Sequence, residues 1–139
     1  MGRSEIVSDQ LLLDTCVLIW WAAGEKKKIP ESIRESVGKT DAVVSVGSIS
    51  VAEVARLAER RRIRLSMHWK PWFRQVVGTN GWSVLPATWE IMEESYSLPE
   101  PFHGDPADRI LVATARLHRL SVVTPDERIR RYPHVDTLW

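Results

Sequence analysis

The chain has 139 residues, of which 44% are hydrophobic and 27% are charged, and these globular proportions exclude intrinsic disorder. Its longest apolar run, residues 16–23, is far shorter than the about 20 residues of a membrane-spanning helix, so no membrane span is expected. A single cysteine, Cys16, excludes an internal disulfide and a cysteine-based zinc cluster, and no secretory signal is visible. We therefore expect one cytoplasmic domain over residues 1–139, in which residues 1–9 form a flexible lead.

The hydrophobic pattern predicts short buried strands that alternate with helices. Residues 11–13, three consecutive leucines, are typical of a strand that is buried on both faces. In chain order, the predicted elements are strand 11–13, helix 15–23, helix 31–37, strand 42–46, helix 50–62, helix 68–77, turn 78–81, strand 82–85, helix 88–98, helix 105–118, strand 120–124, helix 126–131 and strand 135–139. This alternation indicates a three-layer α/β fold with a mostly parallel central sheet flanked by helices.

Acidic residues follow two of the predicted strands and begin two of the predicted helices. Asp14 comes directly after the first strand, and Asp126 follows strand 120–124. Glu53 lies near the start of the helix predicted at 50–62, and Asp108 lies in the first turn of the helix that begins at Asp105. Functional groups of a parallel sheet gather outside the carboxyl ends of its strands, so we expect these acids to meet at one edge.

Each of these acids also has a local structural explanation. Asp105 is well placed to cap the helix that continues through Pro106, and Ser50 with Glu53 matches the capping-box pattern of a helix start. Asp14 and Asp126 could cap the helices that follow them in the same way. Helix capping therefore stays an open alternative for every acid considered singly.

Taken together, clustered carboxylates indicate a metal site, because like charges at one edge repel one another unless a cation lies between them. Mg²⁺ or Mn²⁺ suits a site built from carboxylates that contains neither cysteine nor a histidine pair at ligand spacing. Such a cation lowers the pKa of a bound water and stabilises charge on a phosphoryl group. The reaction this chemistry serves best is hydrolysis of a phosphodiester.

Four segments of the sequence match motifs of a known family, in order and at sensible spacing. They are LLLDTCVLIW at 11–20, SVAEVA at 50–55, HGDPADRILVATA at 103–115 and VTPDERIRRY at 123–132. From residue 10 to residue 139 the chain resembles the PIN-domain ribonucleases, and within them the VapC-type toxins of bacterial toxin-antitoxin pairs.

The resemblance implies a function and a set of site residues. The function is that of a Mg²⁺- or Mn²⁺-dependent endoribonuclease. The enzyme acts as a toxin, and a small cognate antitoxin restrains it. A homodimer is the expected oligomeric state. The implied catalytic and metal-binding residues are Asp14, Glu53, Asp108 and Asp126. The implied supporting residues are Thr15, Asp105 and Thr124, and Asp105 either joins the outer shell of the metal or only caps its helix.

Basic residues concentrate in one part of a chain whose net charge is only +1. Residues 56–74 contain seven basic side chains and one acidic side chain. We predict that RNA phosphates contact the arginines of this segment, because an acidic active site alone would repel them. The predicted RNA-binding residues are Arg56, Arg60, Arg61, Arg62 and Arg64. A solvated helix face is the alternative interpretation.

Trp20 and Trp21 are the candidate partner-binding residues. Because they are adjacent on one predicted helix, they cannot share a face, and at least one is expected to point away from the core. An exposed aromatic side chain suits the surface that receives the antitoxin. The alternative is that both pack against the rest of the domain or a second copy of it.

Two other functions fit parts of this pattern. A PIN fold that has kept only a binding role would lack cleavage activity. A receiver-like signalling domain would carry an acidic pair after its first strand, whereas here Asp14 is followed by Thr15 and Cys16.

Overall fold

The structure, a computed structural model, describes residues 10–100 and 102–139. The flexible lead expected at residues 1–9 lies outside these described residues. The strands are β1 (Gln10–Leu13), β2 (Val43–Gly47), β3 (Ser83–Leu85), β4 (Ser121–Val123) and β5 (Thr137–Leu138). The helices are α1 (Thr15–Ala22), α2 (Glu31–Gly38), α3 (Ser48–Glu59), α4 (Trp69–Asn80), α5 (Trp89–Ser95), α6 (Pro106–His118) and α7 (Glu127–Arg130), with a 3-10 turn at Lys26–Lys28.

The five strands form one sheet in the order β3-β2-β1-β4-β5, and every pair of neighbours is parallel. The predicted α/β fold is therefore confirmed, with a sheet that is wholly parallel across the described strands. The register places Leu13 opposite both Val46 and Val123. The residues that follow these three positions consequently lie side by side at the carboxyl edge of the sheet.

Helices cover both faces of the sheet, as a buried parallel sheet requires. Successive side chains of a strand point to opposite faces. Leu11 and Leu13 accordingly pack in a cluster with residues of α1 to α4, whereas Leu12 packs in a cluster with residues of α6 and α7. All three leucines are fully buried, which confirms that the central strand is covered on both sides.

The start of α3 differs from its prediction. The helix begins at Ser48 with Gly47 in the cap position, so Ser50 lies inside the helix and its side chain is buried. The Ser48 hydroxyl accepts a hydrogen bond from the backbone N–H of Ala87 at 2.9 Å, a long-range contact that joins this helix start to the chain after β3. The capping-box interpretation of Ser50 and Glu53 is therefore wrong, and Glu53 needs another explanation.

The ends of two helices also differ from their predictions. Helix α3 stops at Glu59 rather than Arg62, because Arg61 adopts a left-handed backbone with φ of 58°. Helix α4 continues past Gly78 and is ended by Gly81, whose φ of 68° suits a residue without a β-carbon.

None of the helices in residues 10–100 and 102–139 has the length and apolarity to cross a membrane.

Candidate active site

Asp14 is fixed at the carboxyl edge of the sheet by contacts with two neighbouring segments. Its backbone N–H donates to the carbonyl of Val123 at 3.0 Å, which extends the pairing of β1 with β4. Its Oδ1 accepts from the backbone N–H of Thr15, and its Oδ2 accepts from the buried hydroxyl of Thr124, each at 2.7 Å. The predicted capping role of Asp14 is thus real, and it leaves the carboxylate held between two strands.

Glu53 reaches the same edge from α3 and is held by Thr15. The Thr15 hydroxyl donates to Oε1 of Glu53 and lies 2.8 Å from the hydroxyl of Ser50. Because the Thr15 hydroxyl donates its one hydrogen to Glu53, the Ser50 hydroxyl must donate to the Thr15 oxygen. Ser50 is thus a further member of this hydrogen-bond network, and its sequence context predicted only a helix-capping role. Its position one turn before Glu53 on the same helix was the available signal.

The start of α6 separates the roles of its two acids. Oδ1 of Asp105 accepts from the backbone N–H of Asp108 at 2.8 Å, so Asp105 is the cap of this helix. The side chain of Asp108 is only 15% exposed and lies within the first helical turn. The charge of Asp105 nevertheless raises the pKa of Asp14, Glu53 and Asp108, after burial as the main cause, so both acids of this helix start act on the site.

Asp126 is joined to Asp14 through one hydroxyl. The backbone N–H of Asp126 donates to the Thr124 hydroxyl at 3.0 Å, while the same hydroxyl donates to Asp14. Oδ1 of Asp126 accepts from the backbone N–H of Arg128 at 2.8 Å and so caps α7. Its Oδ2 lies 3.4 Å from Nη2 of Arg128, which is also 3.4 Å from Oδ2 of Asp108.

The charges of these acids act on one another. The pKa of Asp108 is raised from 3.8 to about 6, chiefly by burial and then by the charges of Asp105, Asp14 and Asp126, while the charge of Arg128 acts in the opposite direction. Burial is also the main cause that raises the pKa of Asp14 and that of Glu53, and neighbouring acids add to both increases. The acids therefore share one electrostatic environment, in which a positive charge would be favoured.

The donor set fits a hard divalent cation by its chemistry. It consists of carboxylate and hydroxyl oxygens, and burial with the charge of Asp14 raises the pKa of the Cys16 thiol to about 12, so no thiolate competes. Among the described residues, no three acidic, histidine or cysteine side chains lie in a group that could hold a metal ion. Donor chemistry and mutual repulsion, rather than a ready-made ligand cluster, are therefore what would favour a cation at this edge.

The arginines predicted to contact RNA lie on α3 and on the chain that follows it. All five are exposed, and none has an ion-pair partner within the described ranges. Burial, the largest cause, raises the pKa of Glu53, whereas the positive charge of Arg56 lowers it. Arg56 therefore lies beside Glu53. The segment continues along a groove of about 560 Å³ that Arg61, Arg62 and Arg64 help to line.

The two candidate partner-binding tryptophans are both half-buried on α1. Trp20 packs against Trp139 with ring centroids 6.4 Å apart, and Trp21 packs against Trp82 at 6.2 Å. Both also line a cavity of about 320 Å³ beside Ile29. Each side chain therefore combines a packed face with an accessible face.

Comparison with known proteins places the chain in a family. A sequence model of the PIN domain matches residues 11–135. Ribonuclease VapC22 of Mycobacterium tuberculosis is 36% identical over 134 residues, which cover 93% of this chain and 98% of that protein.

Solved structures show the same fold. A toxin-antitoxin complex from Klebsiella pneumoniae has a TM-score of 0.63 at 22% identity and covers 93% of this chain and 96% of its own. A DNA-bound VapBC from Salmonella typhimurium has a TM-score of 0.64 at 21% identity, with the same coverage. VapBC2 from Rickettsia felis, bound to promoter DNA, has a TM-score of 0.65 at 11% identity and covers 92% and 96%. The matching sequence model, the 36% identical relative and the shared fold agree with one another. The chain therefore belongs to the PIN domain family.

Proposed function

We propose that this PIN domain protein is a divalent-metal-dependent endoribonuclease that acts as the toxin of a toxin-antitoxin pair. The observation that carries the proposal is the hydroxyl network of Thr15 and Thr124, which fixes Asp14 and Glu53 at one sheet edge. These two acids come from positions 39 residues apart, and helix capping does not explain the contact of Glu53. Its relative named ribonuclease VapC22 supports the same reaction.

The residues proposed to hold Mg²⁺ or Mn²⁺ are Asp14, Glu53, Asp108 and Asp126. Such a cation, when bound, lowers the pKa of a water and stabilises the charge that develops on a phosphodiester. The hydroxyls of Thr15 and Thr124 donate to the carboxylates, which orients them and favours their ionised form. Asp105 supports the site by capping α6 and so fixing the turn that carries Asp108.

Membership of the PIN domain family removes the receiver-like alternative. A PIN domain that only binds RNA is the competing proposal, and an RNA cleavage assay separates the two. We expect the purified protein to cleave RNA in Mg²⁺ or Mn²⁺, to lose activity in EDTA and to regain it when the cation is restored. Cleavage that persists in EDTA would contradict metal dependence, and the absence of cleavage in both cations would favour the binding role.

The first prediction concerns the path of the RNA. Replacing Arg60, Arg62 and Arg64 together with glutamine removes three exposed charges that have no ion-pair partner among the residues described. For a single strand, the slope of log K against log salt is expected to fall by about 2, with weaker binding at low salt. Fluorescence anisotropy in EDTA measures binding without cleavage. The control is Arg119→Gln, which removes a positive charge at the end of α6 opposite to Asp108. An unchanged slope in the triple variant would support the solvated-face interpretation.

The second prediction concerns the proposed antitoxin. A cavity of about 510 Å³ lies between α1 and the segment 62–66 and is lined by Trp20 and other apolar side chains, by Arg62 and Arg64, and by the Lys28–Glu25 ion pair. An amphipathic segment with apolar and acidic residues would fit this lining. The aromatic surface continues through Trp21 into the smaller cavity.

Trp20→Ala and Trp21→Ala are therefore expected to weaken inhibition by the cognate antitoxin by at least about 10-fold, while RNA cleavage is retained. Trp89→Ala is the matched control, because Trp89 is 80% exposed on α5 and does not line these cavities. Parallel loss of cleavage, inhibition and melting temperature would show that both side chains act as core residues.

Two further expectations belong to the same proposal. We propose that the toxin acts in the cytoplasm, where its RNA substrate is found, and that it forms a homodimer. Sedimentation of the purified chain tests the second point, and a monomer at micromolar concentration would contradict it.

A further inference from the structure

Arg128 is the basic side chain that the structure places between two of the candidate metal ligands. Its Nη2 lies 3.4 Å from Oδ2 of Asp108 and 3.4 Å from Oδ2 of Asp126. These two acids belong to different helices and are 18 residues apart in the chain. One guanidinium therefore joins both carboxylates across the site.

Building on the proposed ribonuclease function, we propose that Arg128 is an internal counter-ion. It competes with the divalent cation for Asp108 and Asp126. It thereby sets the cation concentration at which the site fills. A cation that enters between these carboxylates must displace the guanidinium.

The contacts of Arg128 suit a displaceable group. A guanidinium stays charged at all accessible pH values, so it offsets carboxylate repulsion without needing to bind a proton. Its side chain is 58% exposed, and both contacts are longer than the 2.7–2.9 Å of a strong charge-assisted hydrogen bond. Such exposed pairs are weak and are readily broken. A divalent ion at the same carboxylates would in addition repel the guanidinium directly.

The neighbouring arginine provides a contrast within the same turn. Arg131 pairs with Glu127 at 2.6 Å on the outside of α7, and both side chains are more than half exposed. Arg131 thus has the same charge and a similar position in sequence, but its partner is not a candidate metal ligand. It is a matched control for the removal of one positive charge.

Titration of the protein with Mn²⁺, followed by calorimetry at fixed ionic strength, tests the proposal without relying on activity. We expect Arg128→Gln to lower the dissociation constant for Mn²⁺ about two- to fivefold relative to the wild type. Arg131→Gln is expected to leave it unchanged. Circular dichroism of all three proteins checks that each is folded.

The outcomes separate this proposal from the proposed function. An Arg128→Gln protein that binds Mn²⁺ with wild-type or weaker affinity would overturn the counter-ion role while leaving the metal site intact. An equal gain in both arginine variants would also overturn it, because general surface charge would then explain the effect. If neither the wild type nor Arg128→Gln binds Mn²⁺, both proposals fail.

Discussion

Replacing Asp14 with asparagine, or Glu53 with glutamine, is expected to lower the rate of RNA cleavage by more than about 100-fold. Substitutions in the groups that merely orient metal ligands already reduce metal affinity or activity by about 10–100-fold. Asp14 and Glu53 lie at the centre of the hydroxyl network, so loss of either charge removes a proposed ligand. Single-turnover cleavage of a labelled RNA in Mn²⁺ measures the effect.

The design of this experiment includes a control on the same helix. Glu59→Gln makes the same chemical change as Glu53→Gln at the exposed end of α3, and it should retain wild-type cleavage at saturating RNA, although Glu59 lines the arginine groove. Because residues of one site act as a unit, the Asp14→Asn/Glu53→Gln double variant should be little slower than either single variant. Near wild-type cleavage by both single variants would show that the acids cap and support the fold without serving the reaction.

The second large effect is expected on stability in the absence of metal. Burial and the charges of three neighbouring acids raise the pKa of Asp108 to about 6 in the folded protein, above its value of 3.8 in an unfolded chain. The folded state therefore binds more protons than the unfolded state between about pH 4 and pH 6. The contribution of Asp108 to the free energy of unfolding therefore falls as the pH rises through this window.

Asp108→Asn removes this dependence and is expected to stabilise the metal-free protein at pH 7.5 by about 1–2 kcal/mol, after allowance for screening by solvent and by Arg128. Urea unfolding in EDTA at pH 4.5 and pH 7.5 measures the difference between variant and wild type. The pKa values of Asp14 and Glu53 are raised in the same direction, so only this difference reports on Asp108. A destabilised Asp108→Asn protein at pH 7.5 would show that helix-dipole stabilisation outweighs repulsion.

The fold could be predicted from the sequence because its central strand is unambiguous. Three consecutive leucines suit a strand that is covered on both faces, and the structure buries all three fully. Helix ends were less predictable where backbone conformation decided them. The left-handed backbone of Arg61 ends α3, and no glycine marks that position in the sequence.

The site could be predicted only in part, and the errors in the prediction have physical causes. Asp14 and Asp126 are predicted to be neighbours from their places after strands, and the structure links both to the Thr124 hydroxyl, because a parallel sheet brings those positions together. Ser50 was missed, because a serine three residues before a glutamate is indistinguishable from a capping box until the long-range contact of Ser48 fixes the helix start. The contact of Arg128 with Asp108 likewise depends on tertiary structure rather than on any local pattern.

The most direct test of the central claim is to measure how many Mn²⁺ ions bind the protein and which acids hold them. Electron paramagnetic resonance of free Mn²⁺ in a titration measures this in the wild type and in Asp14→Asn, Glu53→Gln, Asp108→Asn and Asp126→Asn. We predict saturable binding to the wild type and to Glu59→Gln, weakened at least about 10-fold by each of the four site substitutions. Mn²⁺ binding that survives all four substitutions unchanged would contradict the assignment of these acids to one metal site.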